Sequence, residues 1–125
     1  MILGFGIDLM DLRRLDEKKI ERLQAKVLTG KEREQLLHIS TLKRKKEFFS
    51  GRFCAREAFY KATGRGVRDF ELNTIAVSTD ENGKPYLEVP KEQLDFFFSV
   101  NCRVFLTITH DGEYTVAGVI VEGIE

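Results

Sequence analysis

The chain has 125 residues, 20 Lys/Arg against 20 Asp/Glu, and 42% hydrophobic residues. That length suits one domain, residues 1–125, around one core of modest size, and the composition excludes a repeat, linker or low-complexity protein. Net charge is zero but unevenly placed: residues 1–68 hold 17 Lys/Arg against 9 Asp/Glu and residues 69–125 hold 3 against 11, which points to a basic face for an anionic partner.

Residues 2–9 form an apolar strand candidate with one carboxylate, Asp8, near its end. Residues 11 to about 26 read as an amphipathic helix whose apolar side is Leu12, Leu15, Ile20, Leu23 and Val27. Arg13, Arg14, Lys18, Lys19 and Arg22 line its polar side. Thr29 and Glu32 have the spacing of a capping box, which opens a helix to about residue 38 and makes Glu32 a cap rather than a catalyst. A long helix over residues 41–62 begins with Lys43-Arg44-Lys45-Lys46 and is closed by Gly64 as a left-handed cap. Gly51 inside it costs about 1 kcal/mol relative to Ala, which predicts close packing there or a kink.

Past Gly66 the period switches to two. Residues 73–79 and 84–89 read as a hairpin around residues 80–83, and residues 90–98 as a short helix. Residues 102–109 and 114–122 read as a second hairpin around Asp111-Gly112. The trio Phe96-Phe97-Phe98 either packs locally or sends one ring against another subunit. The expected class is α+β, three main helices on an antiparallel sheet. Cys54 and Cys102 lack metal or redox spacing and read as reduced core thiols of a cytoplasmic protein. No signal peptide or membrane span is visible.

Glu57 and Lys61 stand four apart and share a helix face. By spacing alone they are either a solvated ion pair or a metal-binding carboxylate beside a phosphate-binding ammonium. Five segments in order bear on that choice: Gly6-Ile7-Asp8, Leu28-Thr29-Gly30-Lys31-Glu32, GRFCAREAFYKATGRG over 51–66, NGKPY over 82–86, and TITH ending at His110. Together they resemble the holo-[acyl-carrier-protein] synthases, the small bacterial 4′-phosphopantetheinyl transferases, over residues 2 to about 122.

The resemblance implies the 4′-phosphopantetheinyl transferase fold and transfer of the phosphopantetheine arm of coenzyme A to a serine of apo-acyl carrier protein. Adenosine 3′,5′-bisphosphate leaves, and the product serves fatty acid biosynthesis. It implies Mg2+ on Asp8 and Glu57, with Lys61 neutralising the diphosphate, and these three as the catalytic group. His110 and Arg52 match residues at the nucleotide 3′-phosphate; otherwise His110 is a strand-end histidine satisfied by solvent. Gly83, Lys84 and Pro85 fall in a loop near the adenine. Gly64 and Gly66 would let the backbone approach the cofactor, although capping explains Gly64 equally well. Arg65 stands where the family usually has threonine, either as a phosphate contact or facing water. Arg13 and Arg14 match the docking site for the acidic carrier, with residues 43–46 as a further contributor. The general base is Glu57 or a metal-bound water. A homotrimer with sites between subunits follows from the resemblance alone.

Two other classes are weighed against it. A nucleic-acid module on the basic helices predicts salt-sensitive binding, yet the basic runs lack interleaved aromatics and the overall charge is zero. A non-catalytic nucleotide-binding subunit gives Asp8, Glu57 and Lys61 no reason to converge.

Overall fold

The structure, a computed structural model, describes residues 1–65 and 69–124. Gly66, the last residue of the long signature, lies outside the described residues. Among the described residues a three-stranded sheet, a two-stranded hairpin and four α-helices give an α+β architecture. Strand β1 (Ile2–Asp11) pairs antiparallel with β5 (Tyr114–Gly123), and β5 with β4 (Cys102–Asp111), so the sheet order is β1-β5-β4. The β4–β5 turn is tight because Gly112 adopts φ +57°. Strands β2 (Ala76–Thr79) and β3 (Pro85–Glu88) make a separate hairpin instead of extending one sheet.

Helix α3 (Leu42–Ala62) lies across one face of the three-stranded sheet. Cys54, Ala55, Ala58 and Phe59 are fully buried there against Ala117, Val119 and Val121. Small residues bring helix and strand unusually close. A Cβ on Gly4 would fall 2.0 Å from the Ala62 carbonyl oxygen, and one on Gly6 2.0 Å from that of Ala58. Gly51 leaves α3 unbroken, and a Cβ there would rest in ordinary contact, 3.6 Å from Ile108, so neither a kink nor an approach too close for a side chain accounts for it.

The capping box forms as expected at the start of α2 (Gly30–Leu37): Thr29 and Glu32 exchange side-chain and backbone bonds. Glu32 does more than cap. It accepts the Val77 N–H at 2.9 Å and a hydrogen bond from the buried Arg56, whose Nε donates to the Ile75 carbonyl. One buried pair thus ties α2, α3 and β2 together. Thr41 caps α3 and Gly64 closes it at φ +76°.

The first helix differs from expectation. Asp11 accepts the Arg13 N–H at 3.0 Å and caps a 3-10 turn, Leu12–Arg14; the chain extends again through Leu15 and Asp16. Asp16 then caps α1 (Glu17–Val27). Two aspartates five apart each satisfy an N-terminal amide, and the sequence periodicity merged the two starts. Arg13 and Arg14 therefore sit on a turn between β1 and α1, not along a helix. Likewise the strand expected from residue 73 begins at Ala76, because Leu72–Thr74 form a 3-10 turn.

Helix α4 (Lys91–Phe97) presents the phenylalanine trio. Phe97 meets Phe59, Tyr60, Phe70, Phe96 and Phe98 edge to face, while Phe96 stays half exposed. Among the described residues no helix is long and apolar enough to cross a membrane.

The outer face of the β1-β5-β4 sheet is open and apolar. Phe5, Ile120 and Phe105 face each other across the three strands, and Ile7 and Leu9 continue the patch; all five are exposed.

Candidate active site

Two charged clusters lie along α3. The first forms at its C-terminal end, where β1 brings Asp8 over the helix. Lys61 Nζ lies 2.9 Å from Asp8 Oδ1, with the lysine 55% and the aspartate 14% exposed. Cys54, Glu57 and Lys61 follow one another at helical spacing, so their side chains share the face toward β1. Burial first, and then the Asp8 and Glu57 charges, push the Cys54 thiol up, keeping it protonated. The Lys61 ammonium is stabilised chiefly by its bond to Asp8, with Glu57 adding to it. Both carboxylates thus act on the same two neighbours, Cys54 and Lys61.

The closeness of β1 to α3 is what makes this cluster. Gly6 precedes Asp8 by two positions on the strand, and its missing side chain lets the backbone rest on Ala58 and beside Lys61. Any side chain there would lift Asp8 away from the helix. Two carboxylate donors with solvent on one side can hold a hard divalent cation that keeps water and ligand oxygens in its shell. Among the described residues no set of three His, Cys, Asp or Glu forms a closed metal cage.

The second cluster lies toward the other end of α3, roughly 12 Å from Asp8 by strand spacing and rise. His110 is the penultimate residue of β4, and a cavity of about 280 Å³ is lined by Ile39, Arg44, Glu47, Phe48, Arg52 and His110. The Arg52 guanidinium stacks 3.8 Å from the Phe48 ring centre. Its Nε is buried with no hydrogen-bond partner among the described residues. A buried guanidinium donor left unpaired beside a second arginine and a histidine calls for an anion. Burial lowers the His110 pKa, Glu47 opposes that, and Arg52 and Arg44 reinforce it.

The other expected residues separate into distinct places. Gly83 and Lys84 form the β2–β3 turn, held by Asp80 accepting from the Lys84 N–H at 2.9 Å, and Pro85 starts β3. Among the described residues no hydrogen bond joins that turn to His110 or to the Asp8–Lys61 pair. Gly64 is an exposed helix cap. Arg65 forms two hydrogen bonds with Asp69 and lies over the Phe96 ring at 5.2 Å. Arg13 is bound to Asp11 and to the Tyr114 hydroxyl at 2.9 Å, whereas Arg14 is exposed with no side-chain bond among the described residues. A cavity of about 540 Å³ opens beside Arg14, lined by Leu15, Lys19, Leu23, Phe49 and Phe53.

Three residues of these clusters carry no motif signal. Cys54 reads from sequence as a core thiol, and only its spacing of seven before Lys61 hints at a shared face. Ser50 and Thr115 are buried hydroxyls beside His110; Thr115 is its cross-strand partner across the β4–β5 turn. Arg44, read as part of a docking run, lines the cavity beside His110.

Known proteins resemble this chain in sequence and fold. The family model described as the 4′-phosphopantetheinyl transferase superfamily matches residues 4–117. The holo-[acyl-carrier-protein] synthase of Bacillus subtilis (strain 168) is 38% identical over 125 residues, covering 98% of this chain and 97% of the relative. That of Geobacillus sp. (strain WCH70) is 35% identical over 125 residues, covering 98% of each. The crystal structure of a holo-(acyl-carrier-protein) synthase from Bacillus anthracis str. Ames in complex with CoA (3′,5′-ADP) matches with a TM-score of 0.84 and 34% identity over 99% of both chains.

Proposed function

The chain belongs to the 4′-phosphopantetheinyl transferase superfamily, and from that premise we infer that it is a holo-[acyl-carrier-protein] synthase with the whole chain as its transferase domain. It moves the 4′-phosphopantetheine arm of coenzyme A onto a serine hydroxyl of apo-acyl carrier protein and releases adenosine 3′,5′-bisphosphate, a step that serves fatty acid biosynthesis. The observation that carries this reading is the convergence of Asp8 with Glu57 and Lys61 through the glycine contact between β1 and α3.

Attack of an alcohol on a diphosphate needs charge neutralisation, an activated hydroxyl and in-line alignment. Asp8 and Glu57 would hold Mg2+, and their donor set suits it: two hard carboxylates leave the remaining positions to water and phosphate oxygens. Bound there, the ion supplies neutralisation of the charge developing on the diphosphate. Lys61, exposed and resting on Asp8, is placed to exchange that carboxylate for a diphosphate oxygen. Glu57 stands to accept the serine proton, directly or through a water. Arg52, Arg44 and His110 form the receptor for the nucleotide's 3′-phosphate, which gives the unpaired Arg52 Nε its acceptor.

Arg14 and the apolar cavity beside it are our candidate for docking the acidic carrier; Arg13, engaged by Asp11 and Tyr114, orders the turn that presents Arg14. Nucleic acid is the weaker reading of the basic residues. Lys45 is paired with Glu17, Arg13 with Asp11, and Arg44 and Arg52 turn into the small pocket, so the cations do not form a stripe. A homotrimer accords with the open apolar face bearing Phe5, Ile7, Leu9, Phe105 and Ile120. The two clusters stand toward opposite edges of the sheet, as sites shared between copies require. Ile7→Asp is expected to shift the sedimenting species to monomer. The two free cysteines accord with a reducing cytoplasm.

Intact mass of an apo-acyl carrier protein after incubation with the chain, coenzyme A and magnesium tests the reaction. A gain of one phosphopantetheine that a chelator abolishes is expected. No gain with folded protein and several carriers would overturn the assignment.

A further inference from the structure

His110 is gripped from behind. Its Nδ1 lies 2.8 Å from Thr115 Oγ1, which lies 2.7 Å from Ser50 Oγ, and Ser50 donates to the Glu47 carbonyl at 3.2 Å. Both hydroxyls are completely buried. Gly51 forms the floor of the same socket: a Cβ there would lie 3.7 Å from His110 Cε1 and 3.9 Å from Nε2. Two parts of the chain, α3 at Ser50 and Gly51 and β5 at Thr115, therefore hold one imidazole.

We propose that Thr115, backed by Ser50, is a positioning residue for the reaction: it ties up His110 Nδ1 and so turns Nε2, carrying a proton, toward the phosphate pocket. The hydroxyl chain supports this in both charge states of the ring. With neutral imidazole, an acceptor at Nε2 selects the tautomer in which Ser50 turns its proton from the Glu47 carbonyl to Thr115 and Thr115 donates to Nδ1, which keeps the proton on Nε2. With imidazolium, Nδ1–H donates to Thr115, Thr115 to Ser50, and Ser50 to the Glu47 carbonyl, so no donor is stranded. An anion meets an N–H either way. This inference rests on the reading of His110 as a ligand of the 3′-phosphate.

The chain has only two histidines, His38 and His110, so ring-nitrogen NMR of the full protein resolves His110 once His110→Gln identifies it. The charged and titratable groups around the ring are Glu47, Arg44 and Arg52 from α3. In Thr115→Val the imidazolium loses its Nδ1 acceptor, and the His110 pKa is expected to fall further. A merely structural loosening would admit water and raise it, because burial is what lowers it. Thr115→Ser restores the bond and the titration.

Steady-state kinetics with coenzyme A and with 3′-dephospho-coenzyme A complete the test. Thr115→Val is expected to raise KM for coenzyme A about fivefold, the worth of one ordinary hydrogen bond, with kcat and the dephospho substrate little changed, and Thr115→Ser to recover it. A Thr115→Val protein whose His110 pKa rises or stays put, or whose KM for coenzyme A is unchanged, overturns the positioning role. If His110→Gln itself leaves KM for coenzyme A unaltered, the phosphate reading of His110 falls instead, whatever Thr115 does to the ring.

Discussion

The two ends of α3 answer opposite electrostatic questions. At the C-terminal end a lysine is already neutralised by Asp8, and Glu57 stands in the same field. Toward the N-terminal end Arg44, Arg52 and His110 crowd together, with Glu47 beside them and Glu32 acting on Arg52, and the Arg52 Nε is buried with no hydrogen-bond partner among the described residues. The first end is arranged to receive a cation, the second an anion. The ends also differ in construction. The cation end depends on a backbone contact, glycine on helix, whereas the anion end depends on side chains propped by buried hydroxyls.

The largest effect should come from breaking the cation end chemically. Asp8→Asn and Glu57→Gln keep shape but remove a charge each, and are expected to lower transfer by at least about 100-fold, as loss of an electrostatic stabiliser at the reacting centre does. Intact mass of the carrier measures it, with an unchanged melting temperature as control. Full activity in either folded variant would remove the metal-site assignment. Next is breaking the same end mechanically. Gly6→Ala places a methyl 2.0 Å from the Ala58 carbonyl oxygen, so helix and strand must part, at about 3 kcal/mol. Denaturant unfolding reads the loss, while the NMR signals of His110 stay put if the two ends are as independent as their construction suggests.

That difference in construction also governs what could be read in advance. The cation end was legible because its glycines, aspartate, glutamate and lysine sit inside motif segments, and α2, α3 and the β4–β5 hairpin announced themselves by capping and period. The anion end was only half legible. Arg52 and His110 fell within motifs, but Arg44 was one of four like charges, and nothing local marks Ser50 or Thr115 until β5 folds back beside β4. Glu32 was read as a cap and is one, yet its bond to Arg56 joins residues 24 apart, a pairing that spacing does not encode. The false start of the first helix at Asp11 is a further instance. Two competent caps close together leave the choice to tertiary contacts, here the Leu12 N–H donating to the Glu113 carbonyl at 2.7 Å.

A smaller effect sharpens the contrast. Because Lys61 rests on Asp8 in the free protein, a divalent cation must compete with it. Lys61→Met is therefore expected to bind Mn2+ two- to fivefold more tightly in the absence of coenzyme A, the worth of a largely solvated ion pair, while its KM for coenzyme A rises. Calorimetric titration of the free protein reads the first and kinetics the second. Weaker Mn2+ binding by Lys61→Met would mean that the lysine assists the cation site rather than occupying it.

The smallest effect concerns pH, and the two ends again part company. His110 is held below the ordinary imidazole value, chiefly by burial, so the fold prefers the neutral ring. A depressed pKa contributes stability that is complete above the unfolded value of about 6.5 and is lost as pH falls through the folded value. The free protein should thus lose slightly more stability between about pH 7 and 5 than His110→Gln does. Binding runs the other way. The 3′-phosphate favours the imidazolium, so over the same interval coenzyme A should gain affinity in the wild type relative to His110→Gln. Acid thus weakens the empty anion end and strengthens the filled one, and 3′-dephospho-coenzyme A should show the first behaviour without the second. If both substrates gain equally on acidification, the proton is being taken up somewhere other than His110.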